Sequence, residues 1–239
     1  FYKWYRDNPG EHPSVNKAEL AIIQASAQKA ESHGDVPWGK LLGRGSVWGL
    51  WLQYFLLSYP WYFYITWLPT YLQEHWHLTG KEASNLSIFP LFFGGIGALL
   101  SGFVSPRLAA RINSTGKARR IMSTIGFAGA ATLMYTSTQM GTPLAAMLAM
   151  GMASFCNDLV MPNAWGACMD VGGKFAGTLS GSMNMMGNFA GLAAPLIAPY
   201  ILLYTNNDWN QVLTVMAGVY LCGAFVWPFI DPVTPLKQD

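Results

Sequence analysis

The sequence is poor in charge. Asp, Glu, Lys and Arg make up 11% of its 239 residues, whereas soluble domains carry about 25%. So few charged side chains cannot cover a water-facing surface, which excludes an ordinary soluble domain. Hydrophobic residues account for 52% and aromatic residues for 14% of the chain, and these contents also exclude intrinsic disorder. The composition therefore predicts a membrane protein.

Other features are scarce as well. The three cysteines, Cys156, Cys168 and Cys222, show no CxxC spacing, so neither a disulfide framework nor a metal site is predicted. The net charge is only +2, which gives no field for binding nucleic acid. The chain also lacks a Walker loop, an HExxH pair and a GxSxG turn. We therefore expect neither an enzyme nor a cofactor.

Long charge-free runs alternate with short polar turns, and each run is long enough for one or two spanning helices of about 20 residues. This pattern predicts an all-α membrane protein with six transmembrane helices between residues 46 and 231. The predicted spans are about 46–72, 84–105, 120–138, 142–168, 175–203 and 209–230.

The basic residues predict the orientation of these helices. Alternate loops place 13 of the 14 lysines and arginines on one side of the predicted bundle, and the basic side is normally cytoplasmic. Residues 1–45 are then a cytoplasmic segment, and 232–239 a cytoplasmic tail. Asn16 and Glu19 have capping-box spacing, which predicts a short amphipathic helix in the first segment. We expect a multi-pass protein of the plasma or bacterial inner membrane.

Polar side chains inside the spans are candidates for function. Asp158 is the only carboxylate well inside a span, and a charge there costs about 2.5 kcal/mol or more. It is either a proton or polar site, or a structural group hydrogen-bonded to Asn157 or another helix. Gln53 must also find a partner for its amide. Asp170 lies four residues before Lys174, which predicts an ion pair.

The predicted fifth span carries small residues and amides on one stripe. Small residues at this spacing let helix backbones approach closely, and amides can hydrogen-bond across the contact. Asn184 is therefore either a helix-packing group or a substrate ligand. We predict helix packing at four glycines: Gly177, Gly181, Gly187 and Gly191.

Three stretches resemble one family. They are the polar segment 4–13, the sequence TWLPTYL at 66–72, and the region from Trp165 to Gly181. Together they are similar to the anion:cation symporter family of the major facilitator superfamily, which includes bacterial hexuronate, galactonate and glucarate permeases. The chain departs from the superfamily's Gly-x-x-x-Asp-Arg motif, because Pro106 stands in place of the Asp.

The resemblance implies half of a 6+6 helix bundle, with an N-terminal six-helix half outside this chain. It implies that Gln53 and Asn184 contact substrate, and that Asn163 and Trp165 line the cavity. Tyr59 is expected to pack against the carbon skeleton of the substrate. The family's anion-binding arginine and proton-carrying carboxylates lie in the first six helices, so Asp158 has no family counterpart.

We therefore predict the C-terminal half of a secondary active transporter that takes up an organic anion, a sugar acid, together with H⁺ by alternating access. Its partners would be the lipid bilayer, the anion, H⁺ and the other half. One alternative is a transporter of another anion, such as phosphate. The others are a non-transporting sensor or scaffold and an intramembrane enzyme that uses Asp158.

Overall fold

The computed structural model describes residues 4–28, 36 and 38–236, and these residues form helices and connecting turns with no β-strand. The chain divides into two compact units, Phe1–Pro37 and Trp38–Asp239. Parts of the predicted 1–45 segment and the end of the predicted 232–239 tail lie outside the described residues.

The first unit contains a 3-10 turn, Pro9–Glu11, and helix α1, Lys17–Gln28. Asn16 caps α1, because its Oδ1 accepts a hydrogen bond of 2.8 Å from the backbone N–H of Glu19. This bond satisfies one of the N–H groups that every helix start leaves free.

The second unit is built from nine helices within the described residues, six of which have 18 residues or more. The three short helices are α2 (Trp38–Leu42), α4 (Leu68–Glu74) and α5 (Gly80–Leu86). The six long helices are α3 (Gly45–Thr66), α6 (Ile88–Arg111), α7 (Thr115–Ser137), α8 (Pro143–Gly172), α9 (Ala176–Tyr204) and α10 (Trp209–Val226).

Three helical stretches are long and apolar enough to cross a membrane: Gly80–Arg111, Pro143–Tyr204 and Trp209–Phe229. The second stretch holds both α8 and α9, which a 3-10 turn at Gly173–Phe175 separates. That each of the six long helices crosses the bilayer separately stays a prediction.

The helix ends follow local chemistry. Thr142 caps α8 with its hydroxyl, and Pro143 occupies the first turn, where its missing N–H costs nothing. The predicted span 46–72 is divided in the structure, because α3 ends at Thr66 and α4 begins at Leu68. Pro69 lies in the first turn of α4, and a proline favours a new helix start over continuation of the old one.

Close backbone contacts hold the long helices together. Helix α8 packs against α6 and α7, α3 packs against α9, and α10 packs against α7 and α3. A Cβ at Gly97 of α6 would overlap the carbonyl of Phe155 in α8, and one at Gly126 of α7 would lie 2.7 Å from the Cys156 carbonyl oxygen. Glycine is required at both crossings because only a hydrogen fits there.

Candidate functional site

A cleft of about 330 Å³ opens where α3, α8 and α9 meet. We call it the α3–α8–α9 cleft. Its lining is a mixture of amides, hydroxyls, rings and one carboxylate: Tyr54, Leu57, Ser58, Trp61, Tyr62, Asn157, Asp158, Met161, Asn184, Gly187 and Asn188.

Helical spacing explains why these side chains meet. Helix α3 presents Tyr54, Ser58 and Tyr62, which are four residues apart and share one face. Helix α9 presents Asn184 and Asn188, also four residues apart, with Gly187 between them. Each helix therefore turns one polar face to the cleft.

Asp158 lies between the cleft and helix α6. Its Oδ1 accepts a hydrogen bond of 2.8 Å from the side-chain amide of Asn157, and its Oδ2 lies so close to Gly94 that a Cβ there would overlap it. Asn157 is only 3% exposed, and its own Oδ1 is buried without a hydrogen-bond partner among the described residues. A buried acceptor without a donor is unfavourable, so this oxygen is suited to a buried water.

A second set of hydrogen bonds orients the amides of α9. The Tyr62 hydroxyl donates to Asn188 Oδ1 at 3.2 Å, and Asn188 Nδ2 donates to the Asn184 backbone carbonyl at 2.9 Å. Asn184 is exposed, and within the described residues its side chain makes no hydrogen bond. Its donor and acceptor are therefore both free for a ligand.

The cleft has a defined electrostatic character. Of its described lining residues none is Lys, Arg or His, and Asp158 is the only acid among them. Amides and hydroxyls can both donate and accept hydrogen bonds, so this wall is suited to hydroxyl groups. It offers no positive charge to neutralise a carboxylate.

Four predicted substrate ligands have different positions. Asn184 lines the cleft. Gln53 is fully buried in α3, where its amide nitrogen donates to the Leu50 carbonyl at 3.1 Å and its Oε1 has no partner among the described residues. Tyr59 is 4% exposed and is not part of the lining. Trp165 packs at a steep angle of 84° to the Tyr54 ring, with ring centroids 5.6 Å apart, and is not part of the lining.

Asn163 lies elsewhere. Its amide donates to Ser101 Oγ at 3.1 Å, and its Oδ1 accepts from Ser105 Oγ at 2.6 Å, so it ties α8 to α6. It lines a separate pocket of about 510 Å³ that Arg119 also borders. Substrate contact by Gln53, Tyr59, Asn163 and Trp165 stays a prediction.

The four glycines of α9 divide into two pairs. A Cβ at Gly187 would lie 2.7 Å from the Tyr54 ring, and one at Gly191 would lie 2.6 Å from the Tyr62 ring, so both glycines let α9 approach α3. At Gly177 and Gly181 a Cβ would meet no described atom within 4 Å, so the structure shows no packing contact there.

Asp170 makes a different ion pair from the predicted one with Lys174. Its Oδ2 accepts a hydrogen bond of 2.7 Å from Arg119 Nη1 of α7. The Lys174 amino group instead lies over the Phe175 ring, 5.1 Å from its centroid. The prediction of an Asp170–Lys174 pair was wrong because it considered only residues four apart along one helix. Arg119, which pairs with Asp170, is 51 residues away in the sequence and lies on α7.

The sequence did not single out Tyr54, Ser58 and Tyr62 as cleft residues. Their four-residue spacing within an aromatic helix was visible in the sequence, but rings that pack against neighbouring helices can show the same pattern. The described residues include no group of three or more His, Cys, Asp or Glu side chains that could hold a metal ion.

Comparison with known proteins identifies the family. The family model of the Major Facilitator Superfamily matches residues 1–195. The chain is 28% identical to "Probable anion transporter 4, chloroplastic" of Oryza sativa subsp. japonica, over 95% of this chain and 39% of the relative. It is 26% identical to "Probable L-galactonate transporter" of Escherichia coli (strain K12), over 100% of this chain and 53% of the relative. It is 28% identical to "Sialin" of Homo sapiens, over 91% of this chain and 45% of the relative.

The chain spans only 39 to 53% of the length of these relatives. The matched residues make up well over half of this chain and include the first four of the six long helices and most of α9. Together with the three candidate membrane-spanning stretches, the match makes it a multi-pass membrane protein. The chain belongs to the Major Facilitator Superfamily.

Proposed function

We propose that this chain is the C-terminal half of a secondary active transporter that takes up an organic anion together with H⁺. The observation that carries the proposal is the α3–α8–α9 cleft, in which three asparagines and one carboxylate face a cavity large enough for a small metabolite. The six long helices would each cross the bilayer, with both ends of the bundle segment in the cytoplasm.

The chemistry of the cleft favours a sugar acid as substrate. Asn184 is exposed and its side-chain amide makes no hydrogen bond within the described residues, so it can hydrogen-bond the hydroxyls of a polyol chain. Trp61 and Tyr54 offer ring faces or edges to its carbon skeleton. The name of the E. coli relative, an L-galactonate transporter, supports the same class.

Asp158 is our candidate for the proton site of this half. An isolated carboxylate inside a membrane protein carries or exchanges a proton more readily than one with a cationic partner. The described lining of the cleft holds no such cation, and Asn157 donates a single hydrogen bond to Oδ1.

The carboxylate of the substrate requires a positive charge, which this wall of the cleft does not offer. We propose that the N-terminal half supplies it, since the relatives are about twice as long as this chain. Alternating access would then rock the two halves around a substrate held between them.

A second anion class has its own support. A relative from Arabidopsis thaliana, 27% identical over 92% of this chain, is named "Sodium-dependent phosphate transport protein 1, chloroplastic". Phosphate has no carbon skeleton to pack against the rings of Trp61 and Tyr54, so we rank it below a sugar acid. That relative is chloroplastic by name, so the relatives do not share one membrane. The location of this chain in a plasma or bacterial inner membrane is therefore part of our proposal.

The test is uptake by the full-length protein in proteoliposomes. We expect accumulation of L-galactonate when an inward proton gradient is imposed, and none when an ionophore collapses it. Accumulation of phosphate but not L-galactonate would reassign the substrate. No uptake of either anion, with or without the proton gradient, would favour the non-transporting sensor or scaffold.

A further inference from the structure

The tail segment, residues 230–236, lies across the end of the bundle where α3 and α7 begin and α8 ends. Arg44, which precedes α3, binds it twice. Its Nη1 donates to the Pro235 carbonyl at 2.7 Å, and its Nη2 donates to the Thr234 carbonyl at 2.5 Å. One side chain thus holds two consecutive carbonyls.

Two arginines of α7 hold the first part of the tail segment. Arg119 Nη1 donates to the Pro232 carbonyl at 2.7 Å and also pairs with Asp170 of α8. Arg120 Nε donates to the Ile230 carbonyl at 2.7 Å. Hydrogen bonds from a charged donor are about twice as strong as neutral ones, so these contacts are strong for so short a segment.

Apolar anchors lie at both ends of the tail segment. Ile230 is 1% exposed, and it packs so closely on Gly49 of α3 that a Cβ there would lie 2.7 Å from its side chain. Leu236 is 7% exposed, and its backbone N–H donates to the Val171 carbonyl of α8 at 3.0 Å. The segment is therefore fixed at its first and last described residues.

Asp231 shapes the segment between these anchors. Its Oδ1 accepts from the backbone N–H groups of Val233 and Thr234, both at 3.3 Å, and its own N–H donates to Ser46 Oγ at 3.2 Å. Hydrogen bonds from Thr234 and the backbone, together with the charge of Arg44, hold the pKa of Asp231 below its ordinary value.

We infer that the tail segment is a strap that fastens the first turns of α3 and α7 to the last turn of α8, so that this end of the bundle moves as one body. Most of the arginine bonds go to backbone carbonyls, which every sequence provides. The specificity therefore lies in the positions of Arg44, Arg119 and Arg120. The inference depends on these contacts and not on the identity of the substrate.

The experiment measures amide hydrogen exchange in the full-length protein in detergent. The test variant combines Arg44→Gln with Arg120→Gln, which leaves the Arg119–Asp170 pair intact. The control combines Arg111→Gln with Lys117→Gln. These two side chains are exposed, lie at the same end of the bundle and form no hydrogen bond or ion pair with the tail segment within the described residues.

We expect exchange to become about tenfold faster or more in the tail amides of Asp231, Val233, Thr234 and Leu236, and also in 45–48 and 168–172. The control should leave both sets unchanged. Faster exchange in the tail alone would overturn the inference, as would equal effects of the control or no effect at all. If the test variant does not fold, Leu236→Ala, which removes one anchor and keeps every arginine, is judged by the same outcomes.

Discussion

The Oδ2 atom of Asp158 lies against the backbone of Gly94, with no space between them for a methyl group. Ser154 Oγ borders the same space, 2.9 Å from the position a Cβ would take. Helix α6 therefore limits where the carboxylate can lie. Gly94, which is not part of the lining of the α3–α8–α9 cleft, restricts the position of Asp158, the one acidic residue in that lining.

Gly94→Ala should displace the Asp158 carboxylate and lower proton-driven uptake of L-galactonate by about tenfold, because overpacking in a filled site costs about 1–3 kcal/mol. The matched control is Gly95→Ala, whose added Cβ would meet no described atom within 4 Å. The measurement compares the rates of proton-driven L-galactonate uptake by the Gly94→Ala and Gly95→Ala variants. Equal rates would mean that the position of Asp158 does not matter to transport.

Asp158→Asn should separate coupling from binding. The amide keeps the size of the side chain but cannot lose a proton at physiological pH. We expect gradient-driven accumulation to be lost while exchange of labelled for unlabelled L-galactonate continues. Asp208→Asn, in the turn before α10, serves as the control. Normal accumulation by the Asp158 variant would remove this residue from the coupling mechanism.

The glycines of α9 should differ in their effect on stability. Gly191→Ala places a methyl group 2.6 Å from the Tyr62 ring, and we expect a loss of about 1–3 kcal/mol. Gly181→Ala, with no described atom within 4 Å, should raise the thermal midpoint slightly, because alanine favours a helix over glycine by about 0.5–1 kcal/mol. A thermal unfolding curve of each variant in detergent gives the comparison. Equal midpoints would show that α9 does not need the close approach to α3.

His75 predicts a dependence of stability on pH. Burial lowers its pKa below the ordinary 6.5, while Asp208 acts to raise it and His77 to lower it. The ring stacks on Tyr71 at 5.2 Å, and Glu74 shares its pocket. Since the folded protein disfavours the protonated ring, stability should be full above pH 6.5 and fall as the pH drops through the lowered pKa.

Thermal unfolding between pH 5 and pH 8 tests this dependence. His75→Gln should flatten the part of the curve below pH 6.5, while His77→Asn, which suits the positive φ of 53° at that position, should retain most of it. An unchanged decline in the His75 variant would assign the effect to another group.

The sequence predicted an all-helical membrane protein because long charge-free apolar runs are typical of membrane-spanning helices and rare in soluble domains. The superfamily was predicted from the resemblance of three stretches of the sequence to one of its families. Contacts between helices were harder to predict. Asn163 points to Ser101 and Ser105 rather than to the cleft, and Asp170 pairs with Arg119 rather than Lys174. Both depend on how α8 is rotated against α6 and α7, which a single helix's periodicity does not determine.

Asn157 illustrates the same limit within the cleft. The sequence suggested two alternatives for Asp158, a functional site or a hydrogen bond to Asn157, and the structure shows that bond beside an open cavity. The two alternatives are compatible. Asn157 donates a hydrogen bond only to Oδ1 of Asp158, so the Oδ2 atom is not used by this bond.

The central claim is that the α3–α8–α9 cleft binds the substrate, and protection of Asn184→Cys from a maleimide tests it most directly. The variant is made in full-length protein whose reactive native cysteines, including the exposed Cys222, have been replaced by serine. Asn85→Cys, an exposed position on α5 outside the cleft, is the control. We predict that L-galactonate slows labelling at position 184 and not at position 85; equal labelling rates at position 184 with and without saturating substrate would contradict the claim.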